Sequence, residues 1–149
     1  MKRGHGERGQ VGGIEVLPFG FLIFVSITLF LVNVWGVVDA KLAVTSASRE
    51  GARAFVEAAT VDDGLAAAEF RAHEALTAYG RDGDRATVET PRFPDGFVRC
   101  ARVTVTVRYD VPALTIPFIG GLGGITNVRS TSTEIIDPFR DGLTGEAVC

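Results

Sequence analysis

Few residues in this chain could do chemistry. It carries two histidines, His5 and His73, and two cysteines, Cys100 and Cys149. Catalysis needs a nucleophile and a base in one place, and a metal needs clustered His, Cys or carboxylate ligands. No Cys/His cluster here has metal-ligand spacing. His5 sits in a short charged leader. His73 falls in a stretch of helical periodicity, where it reads as a surface or half-buried helix residue. Gly120-Gly121-Leu122-Gly123-Gly124 lacks the lysine and the following helix of a phosphate loop, so it reads as a flexible loop. Asp62-Asp63 suits a helix cap better than a metal site. Ser130 to Thr133 reads as a strand face. The chain is therefore read as a non-enzyme, with no catalytic residues, no metal and no cofactor. Its formal net charge of −3 leaves no basic footprint for nucleic acid.

One carboxylate stands out by its position. Residues 14–38 read IEVLPFGFLIFVSITLFLVNVWGVV, and Glu15 is their one charge. At 1.5 Å per residue this is roughly 37 Å of helix, enough to cross a hydrocarbon core of ~30 Å with some tilt. In lipid every backbone group must bond within the segment, which requires a helix. Pro18 falls near its start, where a missing N–H costs least. Trp35 near the far end suits the headgroup level. A carboxylate at such a position is a functional candidate by default, although at an end it can also snorkel as a plain interfacial group.

The leader, residues 1–13, is Gly-rich and holds Lys2, Arg3 and Arg8 against Glu7. It predicts an N-terminus in the cytoplasm and residues from about 40 onward outside. Val38-Asp39-Ala40 loosely matches a signal-peptide cleavage site. The apolar region is much longer than the ~7–15 residues of a signal peptide, so a retained anchor is expected.

The outer part, residues 39–149, predicts an α+β domain. The membrane helix continues through Ala-rich sequence to about Ala59, with Leu42, Ala43, Ser46, Ala47, Ala54 and Ala58 on one face and a weak point at Gly51. A second helix is predicted from Val61 to Tyr79, capped by Asp62 or Asp63 and ended by Gly80, with Leu65, Ala68, Ala72, Leu76 and Tyr79 on one face. Strands are expected at 86–90, 100–111 and 126–137. In the middle one, Val103, Val105, Val107, Tyr109 and Val111 alternate with polar residues. Residues 112–124 read as an apolar loop broken by Pro and Gly. If the last two strands form an antiparallel hairpin, the final eleven or so residues can bring Cys149 back to Cys100. A disulfide is then expected, with two free or intermolecular thiols as the alternative.

The order of these parts resembles the TadE-like (TadE/TadG) family of minor pilins, or pseudopilins, of Tad/Flp pili. The resemblance rests on Arg8-Gly9 in a basic leader, Glu15 opening a membrane helix, and Ser48-Arg49-Glu50-Gly51-Ala52-Arg53 after it. A second Ala-rich helix and valine/threonine strands, Val103 to Val107 and Val128 to Thr131, complete it. It implies a non-enzymatic, single-pass protein of the cytoplasmic membrane. Its partners would be other pilins, the inner-membrane platform proteins and a prepilin peptidase, with no small-molecule substrate. It implies processing between Gly9 and Gln10, with the freed amine pairing with the Glu15 carboxylate of the same or a neighbouring subunit. The family places that glutamate five residues after the glycine, whereas Glu15 lies six after Gly9. Either the cut is made with one extra residue in the spacer or it is lost. Arg49, Glu50, Gly51 and Arg53 are candidates for a docking surface, against arginines resting beside lipid headgroups. The alternative function is a membrane-anchored exported binding module unrelated to pili.

Overall fold

A computed structural model describes residues 16–111, 114–116, 120–122, 126–145 and 148–149. Helix α1 runs without a break over Val16–Glu57. Its first part, through Trp35, belongs to one compact unit, and Gly36–Cys149 forms a second. No residue of 16–35 is buried. The polar side chains in this apolar stretch bond to their own helix. Thr28 Oγ1 donates to the Phe24 carbonyl at 2.9 Å, and Asn33 Nδ2 to that of Leu29 at 3.5 Å. Back-bonding of this kind satisfies a polar side chain where the surroundings offer no partner.

From Gly36 onward the helix becomes one layer of an α+β domain. Its buried face is Ala40, Ala43, Val44, Ala47, Ser48, Gly51, Ala52 and Phe55. The alternating steps of three and one are those of a helix packed along one stripe. The expected face was partly misplaced. Ala43 and Ala47 belong to it, but Leu42 is exposed, and Val44 and Phe55 point inward instead. Val44 and Phe55 mark the inward direction, and the alanines, small enough for either side, do not.

Helix α2, Val61–Ala78, buries Gly64, Ala68, Ala72 and Leu76, with Gly64 against Phe55 of α1 and Ala68 and Ala72 beside Gly51. Its cap is Thr60 rather than Asp62 or Asp63: Thr60 Oγ1 accepts from the Asp63 amide and donates to the Asp63 carboxylate. Threonine precedes the first helical turn, as a cap must, and Asp63 closes the bond from the third helical position. At the other end Gly80 takes φ 68°, Gly80 N–H donates to Thr77 O, and Arg81 N–H donates to Leu76 O. This pair of bonds is the Schellman ending that a left-handed glycine permits. Tyr79 stays half-exposed there.

A short 3-10 turn, Gly83–Arg85, leads into β1, Ala86–Arg92. Strand β2 covers Arg102–Val111 and β5 Thr126–Ile135. The three form an antiparallel sheet in the order β1-β2-β5. β2 and β5 pair in unbroken register from Arg102↔Ile135 to Val111↔Thr126. β1 continues past Pro91, and its register with β2 shifts between Glu89 and Arg92. Proline has no N–H for the ladder, so an edge strand with an irregularity is where it fits. Val103, Val105, Val107, Tyr109 and Val111 face the helices, as their alternation predicts. Residues 112–124, expected as a loop, contain two further strands. β3, Leu114–Ile116, pairs antiparallel with β4, Gly120–Leu122, as a separate two-stranded sheet.

Candidate functional site

The domain has two ends, defined by α1. At the near end α1 enters at Gly36, beside the C-terminus of α2 and the Val111↔Thr126 end of the sheet. At the far end α1 stops at Glu57, beside Thr60 and the Arg102↔Ile135 end. Contacts of α1 fix this alignment. Lys41 Nζ donates to the Arg129 carbonyl, and Ser130 Oγ donates to Thr45 Oγ1 at 3.2 Å. Lys41 thereby places its ammonium against β5, an edge strand with carbonyls to offer.

Near the α1 entrance Arg81 Nη2 donates to Asp39 Oδ2 and, at 3.4 Å, to the Gly36 carbonyl. The Gly80 turn aims Arg81 at this point. Sequence reading missed the pair because the partners lie 42 positions apart with no periodic relation.

The Arg49-Glu50-Gly51-Ala52-Arg53 stretch divides by face. Arg49, Glu50 and Arg53 are exposed. Arg53 Nε meets Glu57 Oε1 at 2.9 Å within α1, and Arg71 Nη1 meets Glu74 Oε2 at 2.7 Å within α2; Glu50, Arg53, Glu57 and Arg71 line a shallow groove between the two helices. The hydrogen bond that Arg53 donates to Glu57, helped by the Glu57 and Glu50 charges, holds the Arg53 guanidinium above its ordinary pKa. Gly51 departs from the expected docking surface because it is buried. A Cβ there would stand 3.1 Å from the Ala68 carbonyl of α2 and 3.4 Å from Val105 Cγ1. The close approach that Gly51 permits is thus made within the chain, between α1 and α2. The helix does not weaken there.

Gly9, Gln10 and Glu15, with His5, lie outside the described residues. Cys100 and Cys149 are joined in a disulfide, with Cα atoms 5.3 Å apart. Cys100 has φ 65°, and its amide donates to the Ile136 carbonyl at 3.0 Å. Close by, the Arg140 guanidinium donates to the carbonyls of Val56, Glu57 and Ala58 and stands 5.8 Å from the Phe97 ring centroid. These are the orphan carbonyls of the last turn of α1, which a forked cation satisfies well. Sequence reading did not find Arg140 either; a lone arginine in a tail carries no positional signal.

His73 is half-buried, with Nδ1 close to Gly83. Among the described residues no three His, Cys, Asp or Glu side chains are grouped to hold a metal. The outer sheet face is tied by side-chain pairs: Thr104 with Thr133 and Thr106 with Thr131, each at 3.0 Å. Glu89 meets Arg129 at 2.9 Å and Arg108 at 3.5 Å. Compared with protein-family models, with curated proteins and with solved structures, the chain has no match.

Proposed function

We propose that this is a single-pass membrane protein of the minor pilin or pseudopilin type, serving assembly of a Tad-type pilus or a related secretion system. In this reading it is not an enzyme. Its leader lies in the cytoplasm, the apolar half of α1 crosses the cytoplasmic membrane, and residues from about 39 onward fold outside. It acts through other pilins, inner-membrane platform proteins and a prepilin peptidase.

One observation carries the reading. A single unbroken helix, Val16–Glu57, has one half with no buried residue and another half that forms the core layer of an α+β domain. An apolar helix with its whole surface unburied needs lipid or other helices around it. The disulfide agrees with an oxidising compartment.

The test is on Glu15. Glu15→Ala should leave the outer domain folded, because that domain begins beyond the apolar segment, and should abolish or sharply reduce cross-linking to pilin partners and surface pilus yield. Mass spectrometry of the mature chain should find Gln10 at its N-terminus, and Gly9→Val should block that cut. An intact N-terminus together with normal assembly by the Glu15→Ala protein would leave only a membrane anchor.

A further inference from the structure

The outer face of the three-stranded sheet is turned away from both helices. On β2 it is made by the residues between the buried valines, among them Arg102 and Thr104. Cross-strand partners share a face, so Arg92, paired with Thr104, and Ile135, paired with Arg102, belong to it too. Arg108 and Arg129 on this face are engaged by Glu89. Arg92 and Arg102 are exposed, and among the described residues neither forms an ion pair. Beside them the Thr104 and Thr133 hydroxyls bond to each other, which leaves their methyl groups for outside contact. At its far end the sheet thus presents two uncommitted cations next to the exposed Ile135.

Helix α2 presents the converse. Its inward side is Gly64, Ala68, Ala72 and Leu76, and Arg71 and Glu74 pair with each other on the side of the groove shared with α1. Asp63 is bonded to Thr60. Asp62, Ala66, Glu69 and Phe70 remain on the exposed surface, and Phe70 is 66% exposed. Neither Asp62 nor Glu69 has an ion pair or a side-chain hydrogen bond among the described residues. Seven residues apart, they lie on one side of the helix at a separation of roughly 10 Å. Arg92 and Arg102, on adjacent strands and offset by one pair along the face, are roughly 8 Å apart. The two sets also stand at one level, because α2 begins at the far end of the domain, where the Arg102↔Ile135 pair closes the ladder.

We propose that the outer sheet face of one copy docks on α2 of the next. Arg102 meets Asp62 and Arg92 meets Glu69, while Phe70 covers the Thr104–Thr133 methyls and Ile135 rests on Ala66. The occupant is a second copy because one chain carries both halves of a complementary pair on opposite sides of its domain, where they cannot meet each other. Such a contact is heterologous and repeats from copy to copy. A relation by translation keeps every α1 pointing the same way, as one topology in one membrane requires. Exposed ion pairs add little affinity each. The aromatic anchor supplies the apolar contact, and the charges choose the partner face and its orientation. The contact lies wholly within Gly36–Cys149, so it stands whether or not the apolar half of α1 spans a bilayer and Glu15 serves assembly.

The test is sedimentation velocity of the full chain in excess detergent micelles, with thermal unfolding as the check on folding. The wild-type chain should associate as its concentration rises, and less so at high salt. Arg92→Glu with Arg102→Glu reverses the sheet face. Asp62→Arg with Glu69→Arg reverses the helix face, and Glu69→Arg alone spares the first turn of α2. Each double reversal should weaken self-association by at least about tenfold, since like charges then face each other. Phe70→Ala should weaken it several-fold with the charges intact. Mixing the two reversed chains in equal amounts should restore association, because each supplies the sign that the other has lost. A wild-type chain that stays monomeric would overturn the proposal. So would folded reversal variants that associate like wild type, which would place the contact elsewhere, for example along the apolar half of α1. A mixture of folded reversed chains that stays monomeric would equally remove the pairing of these two faces.

Discussion

Among the described residues, the far end of the domain is closed by a cap, a disulfide and an aromatic cluster, and the near end is joined by polar contacts. At the far end Arg140 caps the last carbonyls of α1, Cys149 is bonded to Cys100, and Phe55 packs with Phe93 and Phe97 at ring-centroid distances of 5.4 and 5.7 Å. At the near end the polar contacts among the described residues run from Arg81 to Asp39 and the Gly36 carbonyl, from Lys41 to the Arg129 carbonyl and from Ser130 to Thr45. Two ends of one small domain thus follow different rules. The far end faces water on its own and must hold its chain terminus and helix terminus without help. The near end, in the proposed setting, has the membrane beside it, which restricts the chain there from outside.

The sharpest way to break this contrast is at Phe55. Its side chain is fully buried, and Gly64 comes so close that an added Cβ would meet the ring at 3.1 Å. Phe55→Ala removes the centre of the far-end cluster and should cost about 3–5 kcal/mol in denaturant unfolding of the detergent-solubilised chain. A cost below that of a surface change would mean that the cluster is not what closes this end.

Next in size is the disulfide. The bond spans a sequence separation of 49, and its removal by Cys100→Ser with Cys149→Ser should cost about 2–4 kcal/mol, chiefly by freeing the unfolded chain. Hydrogen exchange should rise most at 136–149 and around 99–101, with little change at the near end. Uniform acceleration through the whole domain would show that the two ends are one cooperative unit.

The sequence disclosed those parts of the fold that repeat. The alternation in β2 is legible because every second residue from Val103 to Val111 is apolar, so only one face can go inward. The limits of α2 were visible within a residue, because Gly80 ends it by a local left-handed turn. The inward face of α1 was harder, since alanine stripes run all round that helix and only Val44 and Phe55 break the tie. The β3–β4 strands were hidden behind Pro112, Pro117 and a run of glycines, which weaken the local signal although the register with Gly120 and Gly121 tolerates them. Nothing local announced Arg81 or Arg140. Their partners are 42 and 84 positions away, and a single cation that caps or pairs at such separation leaves no pattern. Of the candidate residues, Gly51 shows how a motif can mislead: it looked available for a partner, and α2 already occupies it.

The smallest effect is expected at Arg81, and it tests the near end directly. The Arg81 side chain is 19% exposed and that of Asp39 43%, so solvent screens part of the attraction. Arg81→Ala should therefore cost only about 0.5–1 kcal/mol, less at high salt. Asp39→Asn on top of it should add little, because the two groups act as one pair. The local consequence should be clearer than the global one. Without Arg81 the Gly80 turn loses its bonds to Asp39 and the Gly36 carbonyl, and amide exchange at 79–85 should rise while the far-end amides stay protected. In detergent this rise should be plain; in vesicles it should shrink, if the bilayer restrains the same end. A loss from Arg81→Ala as large as that from the disulfide, or one equal in detergent and in vesicles, would show the near end to be held by its own contacts and would remove the difference between the ends.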